Sequence, residues 1–101
     1  MTLQAKNFKE LNEKLEKIAA HFFMARQMRE AHLEERVPYE LYLQKVEAAY
    51  LSLDEKERNL INNEFFYQNY HYWWIGLYSK TNFYRLKRRA MVKFLEAFYH
   101  A

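Results

Sequence analysis

One glycine and one proline in 101 residues constrain this chain more than any other feature. Sandwiches and barrels of β-strands reverse direction every eight to twelve residues or so, and each reversal favours Gly, Pro or Asn. A chain this poor in turn residues is expected to be all-α. Half of it is hydrophobic and 29% is charged, which suits a soluble domain with a core rather than a disordered segment. Its length allows one compact domain or a small helical assembly, not two independent domains. The absence of Cys excludes a disulfide scaffold and thiolate zinc sites, and fits a reducing cytoplasm. No apolar run approaches the ~20 residues of a membrane span, so no membrane partner is expected. The opening Met1 to Leu15 alternates charge and hydrophobe and does not read as a signal peptide.

Phe8, Leu11, Leu15, Ile18, Phe22 and Ala25 follow one another at spacings of 3, 4, 3, 4 and 3, the rhythm of a coiled-coil seam. They predict a long first helix, about Leu3 to Arg36, flanked by charges such as Glu10, Glu13, Lys14, Glu16 and Lys17. The seam lapses at Arg29, short of the three to four heptads of a free-standing coiled coil. Residues 1–37 are therefore expected to form a helix that packs on the rest of the chain, on a second copy of itself, or on both, with a dimer favoured because the helix is long and the remaining core small. Pro38 fits the first turn of a second helix, which runs to about Leu51 with Tyr39, Tyr42, Leu43, Val46, Ala49 and Tyr50 along one stripe. Ser52 with Glu55, or Asp54 with Glu57, offers a capping pattern for a third helix from about Glu55 to Phe66. Gln68-Asn69 reads as a loop, and Tyr72 to Leu77 as a short helix ended near Gly76. Ser79 then caps a last helix, Lys80 to about Tyr99, with Phe83, Leu86, Ala90, Phe94 and either Leu95 or Phe98 inward.

Charge is distributed unevenly. Met1 to Leu53 holds eight basic and eight acidic residues, and Asp54 to Ala101 holds eight basic and five acidic, so the whole excess of +3 lies in the second part. Lys80, Arg85, Lys87, Arg88, Arg89 and Lys93 sit in a stretch from Lys80 to Phe94 that has no acid. Such a run is either a solvated face or a polyanion-binding one. A short helix, a turn and a Ser-capped basic helix form the layout of a helix-turn-helix, in about residues 71–99 of a domain spanning 38–101. The second helix of that motif enters the major groove. Its first turns need long or hydrogen-bonding side chains, and Lys80, Thr81, Asn82, Tyr84 and Arg85 are placed to contact bases. Arg85 is the best reader of guanine. Ser79, Lys87, Arg88, Arg89 and Lys93 are expected to follow the phosphates.

Leu53-Asp54-Glu55-Lys56-Glu57-Arg58-Asn59-Leu60-Ile61 resembles the start of the fourth conserved region of bacterial sigma factors. The stretch from Ser79 to Leu95 resembles that region's recognition helix, in its capping hydroxyl and its basic-basic-Ala-apolar ending. It is also similar to small sigma-like regulators of phages and mobile elements, the ArpU-type group. The likeness covers about Leu53 to Phe98 and implies a sequence-specific transcriptional regulator that binds double-stranded DNA. By it, Lys80, Thr81, Tyr84 and Arg85 fall at promoter bases, and Lys56 and Arg58 near phosphate or an RNA polymerase surface. The chain departs from the family at Tyr72-Trp73-Trp74-Ile75, where an acidic-apolar-Ala pattern is usual. Nothing upstream resembles the regions that melt DNA.

The aromatic block from Phe65 to Tyr78 is expected to be mostly core, since each ring buries on the order of 150–250 Å². Trp73 and Trp74 are left partly open to a partner. His21, His32, His71 and His100 lack the spacing of metal ligands. Glu34 and Glu35 are adjacent, so they face apart on a helix, and no nucleophile-base grouping or phosphate loop occurs. No cofactor, metal or enzymatic activity is expected. The alternative to a DNA regulator is a protein-binding adaptor or inhibitor, such as a mobile-element mimic of a host factor, that uses the aromatic block and basic helix. An RNA-binding protein is the third reading.

Overall fold

The computed structural model describes residues 7–31, 36–67 and 71–100, and every regular element among them is helical. Helix α1 spans Phe8–Ala31, α2 Arg36–Leu51, α3 Glu55–Ile61 and α4 Lys80–Tyr99. α3 runs on without a break into one π-helical turn, Asn62–Phe66. His32, Glu34, Glu35, Gln68 and Asn69 lie outside the described residues.

α1 starts at Asn7, whose side chain accepts from the Glu10 backbone N–H at 2.8 Å and donates to the Glu10 carboxylate at 3.2 Å. The first of these bonds satisfies an N–H that has no partner inside the helix, and the second ties the two side chains together. Leu11, Leu15, Ile18 and Ala25 of the seam are buried, with Phe8 and Phe22 packed at the edge of the core. α2 and α4 cover them. Packing within the chain, one of the uses expected for the seam, is thus what Leu11, Leu15, Ile18 and Ala25 do. Tyr42 of α2 fastens the contact by donating its hydroxyl proton to the Ile18 carbonyl at 3.2 Å.

α2 begins two residues before Pro38, which stays within the first turn, where a missing N–H removes no helical bond. At its other end, the Ser52 hydroxyl donates to the Ala49 carbonyl at 2.6 Å and so closes α2. Asp54 is the cap of α3: its carboxylate accepts from the Glu57 N–H at 2.8 Å, and the Glu57 carboxylate accepts from the Asp54 N–H at 2.9 Å. Of the two capping registers, the Asp54–Glu57 one is the one that forms. The π-turn closes with the Tyr67 N–H on the Asn62 carbonyl at 2.7 Å. It places Phe65 and Phe66 in the core and Glu64 toward α4.

α4 is capped as expected, with the Asn82 N–H on the Ser79 hydroxyl oxygen at 3.2 Å. Phe83, Leu86, Ala90, Met91, Phe94, Leu95 and Phe98 form its buried face. Phe94 has no exposed surface, so Phe94→Ala should destabilise the fold by about 3–5 kcal/mol through lost burial and the remaining cavity. Urea unfolding measures this directly, and a loss under ~1 kcal/mol would show that α4 is not the keystone of this core.

The short helix expected over Tyr72 to Leu77 is not present. Residues 71–77 form successive turns, held by the Ile75 N–H on the Tyr72 carbonyl at 3.1 Å and the Leu77 N–H on the Trp74 carbonyl at 3.0 Å. Two causes act together. Aromatic and β-branched residues are weak helix formers, and a segment this short cannot repay helix nucleation. Gly76 also takes a φ of 92°, a left-handed conformation that interrupts any right-handed helix.

Candidate nucleic-acid interface

The leading end of α4 stands in solvent on a rigid base. Phe83 is the buried anchor: Trp74 stacks flat on it with centroids 4.5 Å apart and planes 13° from parallel, and Trp73 meets it edge-on at 5.9 Å. Around that anchor Ser79, Lys80, Thr81, Asn82, Tyr84 and Arg85 are exposed. Lys80, Thr81, Tyr84 and Arg85 recur at i, i+1, i+4 and i+5, so they share one helical face. Tyr84 is steadied from the side by the edge of Phe8 at 5.5 Å. Among the described residues neither Lys80 nor Arg85 is ion-paired. The first turn of α4 holds no acid, and its unpaired N–H groups add partial positive charge at the same end.

The rear cations of α4 are engaged differently from the sequence expectation. Lys87, only 11% exposed, binds Glu64 at 2.8 Å. Arg89 binds Glu57 at 2.9 Å and Asp54 at 3.6 Å, and Lys93 binds Glu57 at 2.8 Å. Three of the five residues expected at phosphates thus direct their donors to acids of α3 and its π-turn. Glu64 also accepts from the Trp73 indole N–H at 2.9 Å, so one carboxylate joins α4 to the aromatic turn. Arg88 is half-buried.

Glu57 is the centre of this arrangement and is fully buried. Burial alone would raise its pKa, but bonds from Lys93, the Asp54 backbone and Arg89 outweigh it and hold the carboxyl down to about 2. No buried side-chain donor or acceptor among the described residues lacks a partner. The ion pairs therefore hold α4 against α3, while Lys80 and Arg85, which make no ion pair among the described residues, stand at the front of α4.

Of the expected partner surface, Lys56 is exposed on α3 and Arg58 is half-buried beside it; Trp73 and Trp74 are half-buried. His21 is exposed, its ring edge-on to Tyr42. Among the described residues no group of three His, Cys, Asp or Glu could hold a metal ion, and no helix is long and apolar enough to cross a membrane. Sequence reasoning missed Glu57 and Glu64 as partners of the basic helix. Their seven-residue separation, which puts them on one helix face, was the available signal. It also missed the exposure of Tyr72, Ile75 and Leu77.

Comparison with known protein families, characterised proteins and solved structures finds no match to this chain.

Proposed function

We propose that the chain is a sequence-specific DNA-binding transcriptional regulator that seats the first two turns of α4 in a major groove. One observation carries the reading. The capped end of α4 is exposed and has no acid, with Lys80, Thr81, Asn82, Tyr84 and Arg85 in solvent, while the later cations are bound within the fold. A helix so placed offers a positive end to phosphate and hydrogen-bonding side chains to base edges. Arg85 donates its two-pronged guanidinium to guanine, and Thr81, Asn82 and Tyr84 read neighbouring positions. Ser79 keeps the phosphate role, beside Lys80 at the same end of the helix. Lys87, Arg89 and Lys93 set the docking angle by holding α4 to α3. A helix-turn-helix built this way uses α3 with its π-turn, rather than a short helix at Tyr72 to Leu77, as the element behind the recognition helix. RNA polymerase is the second partner in this reading, met by Lys56 and Arg58.

Salt dependence tests it. With two or three phosphates neutralised, log affinity should fall against log salt with a slope of about −2 to −3. Duplex binding indifferent to salt would end the idea. Arg85→Ala should cost about 1–3 kcal/mol of discrimination at one base position. Arg89→Ala should instead act through stability, leaving the sequence preference unchanged. A loss of preference from both substitutions would refute this division of roles.

The adaptor reading is favoured by a different observation, the exposed apolar side chains of Tyr72, Ile75 and Leu77. Recovery of a stoichiometric protein partner from nuclease-treated lysate, with no duplex binding by the purified chain, would select it.

A further inference from the structure

The turn before α4 carries more apolar surface than a helix connection needs. Tyr72, Ile75 and Leu77 are 63%, 61% and 67% exposed. Large apolar side chains gathered on one exposed turn mark a contact surface. The turn is braced. Besides the two bonds already described, the Tyr78 N–H donates to the Trp74 carbonyl at 3.1 Å. Trp74 is stacked on Phe83, and Trp73 is bonded to Glu64. Gly76, with its φ of 92°, reverses the chain between the two aliphatic residues. The backbone that presents these side chains has little ordering entropy left to lose on contact.

Charge and distance indicate what is contacted. No Asp or Glu occurs between Glu64 and Glu96, so the segment that carries the apolar tip and the basic end of α4 has no acid of its own, and the Glu64 carboxylate that meets it is taken up by Trp73 and Lys87. Leu77 and Lys80 are three residues apart, so their Cα atoms are separated by at most roughly 11 Å. That equals about three base-pair steps at ~3.4 Å each. A polyanion held by Lys80 and Arg85 therefore passes within reach of Ile75 and Leu77. Duplex DNA matches this surface, because its base-pair faces are apolar and lie between rows of phosphate.

We infer that Ile75 and Leu77 form an apolar wedge that enters between base pairs beside the site read by α4 and kinks the duplex. The inference rests on the DNA-binding reading above. Aliphatic wedges of this type open a base step, and the bend lets DNA meet more protein surface. Tyr72 flanks the opened step, where its ring can cover an unstacked base.

The experiment uses the full chain and a short duplex recovered by selection from a random pool. The duplex carries a donor and an acceptor dye at its ends, and 2-aminopurine in turn at each step next to the selected motif. Ile75→Ser combined with Leu77→Ser alters two exposed positions, and circular dichroism checks that the variant is folded. The wild-type protein should bring the dyes together and brighten 2-aminopurine at one step. The double variant should bind about tenfold to a hundredfold more weakly, as expected for two apolar side chains left unburied. It should keep the same salt slope and leave the duplex straight. A wild-type complex on straight DNA, or a variant that kinks it equally, overturns the wedge while the DNA-binding reading stands. Absence of any wild-type duplex binding overturns both. Binding of wild type but not the variant to phosphatidylglycerol vesicles, with the DNA behaviour of the two identical, assigns the tip to a lipid surface and overturns the wedge.

Discussion

Glu57→Gln should lower the stability of the fold by about 2–3 kcal/mol near neutral pH. Removing one member of a fully buried ion pair costs about 3–5 kcal/mol, because its partner is left without compensation. Here Glu57 is 0% exposed, but the side chains of Arg89 and Lys93 are 56% and 44% exposed and regain water when released, which reduces the cost. For a domain of this size the loss corresponds to a melting temperature lower by about 10–20 °C. The direction with pH follows from the lowered pKa. The folded carboxyl titrates at about 2 against an ordinary 4.5, so on acidification the unfolded chain takes up the proton first. The stabilisation is complete above about 4.5 and disappears as pH falls toward about 2. Glu57→Gln should flatten the stability profile across that window. Urea denaturation of both proteins at neutral and acidic pH checks it; equal stability at both would show that the ion pairs do not hold α4 to α3.

Reversing charge at the front of α4 should have the largest effect on binding. Lys80→Glu with Arg85→Glu is expected to weaken duplex binding by about 100-fold or more at low salt, since like charges brought together at an interface cost several kcal/mol. Stability should hardly change, because both side chains are exposed and unpaired among the described residues. Lys56→Glu on α3 should leave the sequence preference intact. Fluorescence anisotropy of a labelled duplex, alongside thermal melts, separates these effects. Undiminished binding by the double reversal would show that DNA, if bound, lies elsewhere.

The features legible in the sequence were those set by local periodicity. The seam of α1 is visible in its spacing, yet spacing cannot tell a neighbour in the same chain from a second copy; within the chain, α1 packs on α2, α4 and the π-turn. Two capping registers were compatible with the residues before α3. The choice between them depended on the Ser52 hydroxyl being engaged by Ala49. The front of the candidate interface could be read because Ser79 and the residues behind it act within two turns of one helix. The rear could not. Lys87, Arg89 and Lys93 meet acids 23, 32 and 36 positions earlier, so a basic run that looks uniform in sequence is divided in space. The helix expected over Tyr72 to Leu77 fails because aromatic and β-branched residues form helix weakly and Gly76 takes a left-handed conformation.

Selection from a random pool of duplex DNA, followed by sequencing, tests most directly whether the exposed end of α4 reads bases. The wild-type chain should enrich one short motif containing a guanine whose preference Arg85→Ala removes. Recovery of sequences no different from the starting pool, or a motif unchanged by Arg85→Ala, would contradict the assignment.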